Sequence, residues 1–185
     1  PVGVGASRFR NETAAMLLRE VRFDVIKGNI SEIAYLAEGI GTTKGVDANL
    51  DALSTEGNLR WHTDLARKVS TQTGAAIVIS GPIDIVADSQ EAWAIRNGHP
   101  MANITGTGCM SAGVIGCCVG ADPQALLPSC VCAMSAMGIC GELAYEKLLS
   151  VDGGSGTYRV LLMDAMSKLD GATLTRRSKA ERLRI

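Results

Sequence analysis

Ile104-Thr105-Gly106-Thr107-Gly108-Cys109 carries the sharpest chemical signal in this chain. The two glycines allow a tight turn and a close approach of backbone to ligand. If a helix starts there, its first N–H groups have no helical partner, and the dipole adds positive potential. That combination is an anion cradle suited to a phosphate in transfer, with Gly106, Thr107 and Gly108 forming it. Cys109 falls in the first turn, where the dipole favours a thiolate. A thiolate beside a bound phosphate can accept a proton from a substrate hydroxyl. The run is neither a Walker loop nor a complete dinucleotide fingerprint. Lys27-Gly28-Asn29 and Ser80-Gly81 are two further candidates. Lys27 suits a nucleotide phosphate, Ser80 a phosphate or ribose, and Glu32 a Mg²⁺ ion held directly or through water. Plainer readings stand beside these: a turn that binds nothing, a small core cysteine at 109, a solvated lysine at 27. For Glu32 the plainer role is a capping box with Asn29.

The elements around these residues place them at strand ends. Asn11 can cap a helix striped by Ala14, Leu17, Leu18 and Val21. Residues 23–26 read as a strand, and Asn29 with Glu32 opens the next helix. Trp61, Leu65 and Val69 stripe another. The all-apolar run 75–79 reads as a strand buried on both faces. Residues 84–87 and 92–95 form a hairpin about Asp88-Ser89. A short strand near residues 101–104 leads into a helix from Cys109. Asp122-Pro123 reads as the N-cap and N1 of a long helix to about Leu149. Leu162, Ala165, Met166 and Leu169 stripe the last helix. The segment after Gly171, with five basic residues and one acidic, reads as a solvated, frayed tail. This alternation predicts a three-layer αβα fold with a mostly parallel sheet. Such sheets bind ligands along the strands' C-terminal edge, so three glycine-bearing strand ends converge there.

Composition narrows the function. Lys plus Arg (18) nearly balance Asp plus Glu (19), giving a net charge of −1, which argues against a nucleic-acid partner. The most apolar stretch, residues 125–144, is rich in Ala, Ser, Cys and Met and suits a packed core helix better than a membrane span. The six cysteines include no Cys-x-x-Cys pair. Five lie in apolar runs, as expected of small core residues in a reducing cytoplasm.

Taken in order, several segments resemble the hydroxyethylthiazole kinase family, a branch of the ribokinase-like kinases. They are Pro1-Val2-Gly3-Val4-Gly5-Ala6, Lys27-Gly28-Asn29-Ile30-Ser31-Glu32-Ile33, Lys44-Gly45-Val46-Asp47 and Ser80-Gly81-Pro82-Ile83-Asp84. Asn97-Gly98-His99-Pro100, Thr105-Gly106-Thr107-Gly108-Cys109 and Gly154-Ser155-Gly156-Thr157-Tyr158 continue the pattern. The resemblance implies a ribokinase-like fold and phosphorylation of 4-methyl-5-(2-hydroxyethyl)thiazole by ATP with Mg²⁺, in thiamine biosynthesis or salvage. It places Lys27 and Ser80 on ATP, Gly106 at the substrate, Cys109 as catalytic thiol and Glu32 near the metal. It implies a homotrimer with active sites between subunits. Residues 1–170 would be the C-terminal two-thirds of one kinase domain, with a further N-terminal segment ahead of Pro1, and 171–185 a basic tail. Two departures stand out: Lys27 where the family usually has Arg, losing the guanidinium fork, and Ser80 where it often has Thr. A kinase for another small alcohol and a non-catalytic nucleotide-binding domain are the alternatives.

Overall fold

The computed structural model describes residues 1–38, 56–98, 101 and 104–184. The Lys44-Gly45-Val46-Asp47 segment and His99-Pro100 lie outside them. The chain divides into two compact units, residues 1–94 with 182–185, and residues 95–181.

The first unit is an α/β layer. Helix α1 (Arg8–Glu20) is capped by Ser7, whose hydroxyl accepts the Arg10 N–H, rather than by Asn11. Ser7 holds the extended backbone a cap needs. Asn11 instead lies inside the helix, and its side chain accepts the Gly5 N–H at 2.7 Å. Strand β1 (Val25–Asn29) runs into α2 (Ile30–Glu38). Helix α3 (Leu59–Thr73) ends at Gly74, in the left-handed region at φ 75°, and leads into β2 (Ala76–Ser80). Strands β3 (Asp84–Ala87) and β4 (Ala92–Ile95) occupy the two segments expected of the hairpin. Helix α3 turns His62, Ala66 and Val69 inward and leaves Trp61 40% exposed, a rotation of about one residue from the predicted stripe.

The sheet order is β1-β2-β3-β4-β5, where β5 is Ala180–Arg182. β1 and β2 are parallel, whereas β2 and β3 are antiparallel. The sheet is therefore mixed, which corrects the expectation of a mostly parallel one. The reason is loop length. A parallel neighbour needs a crossover of a dozen or more residues, as α2 and α3 supply between β1 and β2, and the turn after Ser80 is far shorter. Ile26, Ile77, Ile79, Ile85 and Ala87 form the sheet's side of the core, with Ile33, Leu36, Ala37, Ala66 and Val69 packed in the same cluster.

The second unit is mainly helical. Helix α4 (Thr107–Ala121) starts two residues before Cys109. The described residues Met101 and Ile104 are not in a strand, so the strand expected before this helix is not seen there. Helix α5 (Leu126–Leu148) begins after Ala125, not at Asp122-Pro123. Asp122 ends α4, donating its N–H to the Cys118 carbonyl, while its own carbonyl accepts from Ala125 and from Ser129. Helix α6 (Ser155–Lys168) packs on α5 through Met137, Cys140, Ala144, Tyr158 and Leu162. Helix α5 is long and apolar enough to cross a bilayer, and its inner face is buried in this unit.

Residues 171–182, expected to fray, are folded. Asp170 caps α7 (Gly171–Arg177) by accepting the Thr173 N–H at 2.7 Å. Buried Asn97 accepts the Lys179 N–H at 2.7 Å and donates to the Arg177 carbonyl at 3.0 Å. Gly138 makes room for this, because a Cβ there would lie 2.6 Å from the Asn97 backbone. The basic side chains find carboxylates: Arg177 on Glu146 and Lys179 on Glu142. The Arg177–Glu146 pair is bidentate, at 2.7 and 3.0 Å, and together with the Asn97 bonds and the pairing of β5 in the sheet it holds the segment.

All six cysteines are free thiols. Only Cys130 and Cys140 are core residues; Cys109, Cys117 and Cys132 are exposed and Cys118 is half-buried. Helix α4 buries only Ser111 and Ile115, so its apolar run did not imply burial all round.

Candidate active site

In the first unit Lys27 and Ser80 meet. Lys27 Nζ donates to Ser80 Oγ at 3.2 Å, and that hydroxyl is 3.4 Å from the Gly28 carbonyl, to which it donates. β1 positions the lysine and the C-terminal end of β2 the serine, in register with Asn29. Both side chains are half-buried.

Glu32 forms the predicted capping box. Its backbone N–H donates to Asn29 Oδ1 and its Oε2 accepts the Asn29 N–H, both at 2.9 Å. Its other oxygen accepts the Gly3 N–H at 2.7 Å. Gly28 permits this placement, since a Cβ there would stand 3.0 Å from Glu32 Oε2. Each carboxylate oxygen has one backbone donor, and an ionised carboxylate has roughly four acceptor positions. Glu32 can therefore also take a hard cation or its water. That fits Mg²⁺, which keeps several waters and uses one or two carboxylates with phosphate oxygens.

The sequence reading gave Asp84 no role. It is 6% exposed, in a strand of otherwise apolar residues, and accepts the Gly81 N–H at 2.9 Å. Burial pushes its carboxyl up to about 7; the Gly81 N–H and the Lys27 charge pull the other way and lose. The available signal was a carboxylate inside an apolar strand, four residues after Ser80.

In the second unit, Gly106 caps α4 from the left-handed region, at φ 99°, where only glycine sits without strain. Its carbonyl accepts the Met110 N–H at 3.0 Å. The first-turn amides of Thr107, Gly108 and Cys109 have no intrahelical acceptor by position. Thr105, Gly106, Gly108 and Cys109 are exposed. Ser111 donates to the Gly108 carbonyl at 2.9 Å and steadies the turn. The result is an open, glycine-capped helix start with a thiol in its first turn.

Fold and sites together define a class. The chain is an α/β protein of ribokinase-like fold: it matches, with a TM-score of 0.80 and 27% identity, the structure of a hydroxyethylthiazole kinase protein from Pyrococcus horikoshii, covering all of this chain and 64% of that one. It is 51% identical over 193 residues to a hydroxyethylthiazole kinase of Desulfovibrio desulfuricans, covering all of this chain and 68% of the relative. It is 47% identical over 175 residues to one of Clostridium acetobutylicum, covering 94% and 64%. The chain thus spans about two-thirds of the length of the relatives it matches. The hydroxyethylthiazole kinase family profile matches residues 1–172, and the chain belongs to that family.

Proposed function

We propose that the protein transfers the γ-phosphoryl group of ATP to the hydroxyl of 4-methyl-5-(2-hydroxyethyl)thiazole, in thiamine biosynthesis or salvage. The observation that carries this reading is the exposed start of α4, with Gly106 in the left-handed region and Cys109 in the first turn, in a chain of this family. The amides of Thr107, Gly108 and Cys109 hold the phosphoryl oxygens as charge develops on them, the place where most phosphoryl-transfer catalysis lies. Gly106 lines the substrate. Lys27 and Ser80 bind ATP, with the lysine offsetting phosphate charge. Glu32 holds Mg²⁺, which when bound adds charge neutralisation at the phosphates. The Cys109 sulfur orients the primary hydroxyl and takes its proton late, as the new O–P bond forms and the bond to the ADP oxygen breaks. Residues 1–170 belong to one kinase domain, followed by the basic segment 171–185. We further assign a homotrimer with active sites between subunits and a cytoplasmic location; six free thiols support the latter.

The test is product formation. The protein from the complete reading frame, given MgATP and the thiazole alcohol, is expected to form the phosphate ester and ADP in equal amounts. ADP without ester, or ester from other small alcohols but not from the thiazole, contradicts the assignment.

A further inference from the structure

The strand register places three polar residues on one face of the sheet. Lys27 pairs with Val78 across β1 and β2, and Ile79 pairs with Ile85 across β2 and β3. Continued by one residue, the second pairing sets Asp84 opposite Ser80. Paired residues share a face, and alternate residues of a strand do too. Lys27, Ser80 and Asp84 therefore project from one face. Ile26, Ile77, Ile79 and Ile85 project from the other, into the core. On the polar face Lys27 Nζ reaches Ser80 Oγ, and Asp84 Oδ1 accepts the N–H of Gly81, the residue after that serine. A buried carboxylate among Ile85, Val86 and Ala87 is costly unless its charge or its hydrogen bonds are used.

We propose that Asp84 is a positioning residue for the nucleotide, fixing the Lys27 ammonium and the Ser80-Gly81 turn at the sheet face where ATP binds. This rests on the reading that Lys27 and Ser80 contact ATP. A turn-capping role alone needs only an acceptor for the Gly81 N–H. A positioning role for Lys27 needs the negative charge as well. Asp84→Asn separates the two, because the amide keeps the acceptor and loses the charge.

The experiment measures MgATP affinity calorimetrically at about pH 8, above the point where Asp84 gives up its proton, with the complete protein, wild type, Asp84→Asn, Lys27→Met and the double variant, with thermal melts beside it. Asp84→Asn is expected to weaken MgATP binding roughly three- to tenfold in the wild-type background, less than the roughly ten- to hundredfold of a direct charge-assisted contact, because Asp84 acts through Lys27. In the Lys27→Met background it is expected to change binding less than about twofold, since interacting residues are not additive. Unchanged affinity in Asp84→Asn, or effects that multiply in the double variant, overturns the proposal. Nucleotide bound normally with Asp84 silent sinks this inference alone. A wild type that binds no nucleotide sinks the functional reading with it. If Asp84→Asn melts early, carboxyl-carbon NMR of Lys27→Met decides: loss of the ammonium is expected to raise the pH at which Asp84 titrates, and an unmoved titration overturns the pairing.

Discussion

The two groups of site residues are built on opposite plans. At the sheet face, Lys27, Ser80 and Asp84 already have protein partners, and Asp84 is buried. At the start of α4, the first-turn amides are left without helical acceptors and Cys109 is exposed. A polar group whose partners are internal contributes to folding as well as to binding. One that faces outward with its capacity unused contributes to the ligand alone. Side-chain truncations at the helix start are therefore expected to cost activity without stability, and those at the sheet face to cost both; at Gly106 the backbone conformation, not a side chain, carries stability.

The largest expected effect is at Cys109. Cys109→Ala is expected to lower kcat about a hundredfold, the low end of the range for one acid–base group, because a loose phosphoryl-transfer transition state asks little of a base. MgATP affinity and the melting temperature should barely move. Cys109→Asp, which supplies a carboxylate base, should retain more activity than the alanine variant. Alanine outperforming aspartate in kcat, with both folded, would remove Cys109 from the chemistry.

Lys27→Ala comes next. It is expected to raise the KM for ATP by roughly ten- to a hundredfold, more than it affects thiazole binding, since a hydrogen bond to a charged group contributes about 1.5–3 kcal/mol. It should also lower the melting temperature, because it removes the cation facing a buried carboxyl. An unchanged melt would break the contrast between the two regions.

Gly106→Ala sharpens the contrast from the backbone side. A Cβ there meets no atom within 4 Å, so the strain comes from φ alone. The expected loss is about 1–2 kcal/mol of stability, read by denaturant unfolding. No loss would mean that the turn relaxes out of the left-handed region.

The smallest expected effect is in pH dependence. The Asp84 carboxyl stands at about 7 in the fold against 3.8 ordinarily. Its native state therefore holds a proton that the unfolded chain releases. The associated stability is full below about pH 4 and is lost as pH rises through about 7. His62, fully buried and lowered by that burial, acts in the opposite sense: its contribution is present above its ordinary value and lost as pH falls. Asp84→Asn should flatten the decline of stability between about pH 5 and pH 7. An identical decline in both proteins would mean that Asp84 titrates near its ordinary value.

Much of this was legible in the sequence where local chemistry decides. The Asn29–Glu32 capping box and the hairpin strands follow from residues a few positions apart, and the structure reproduces them. The Lys27–Ser80 contact was indicated only as two strand ends on one sheet edge. What the sequence reading missed depends partly on a local turn length and partly on pairing between distant segments. Strand direction at β2 and β3 follows from a turn too short for a crossover. The folding of residues 171–182 depends on Asn97, some eighty positions away. Asp84 was visible as a residue, but its role emerges only when the register sets it opposite Ser80, on the face that carries Lys27.

The central claim is that the γ-phosphoryl group sits on the amides at the start of α4. Backbone amide NMR of the complete protein, titrated with MgADP and with a non-hydrolysable MgATP analogue, tests it directly. The Thr107, Gly108 and Cys109 resonances are expected to shift with the triphosphate analogue and to stay in place with the diphosphate. Shifts there with neither nucleotide, or equal shifts with both, would contradict it.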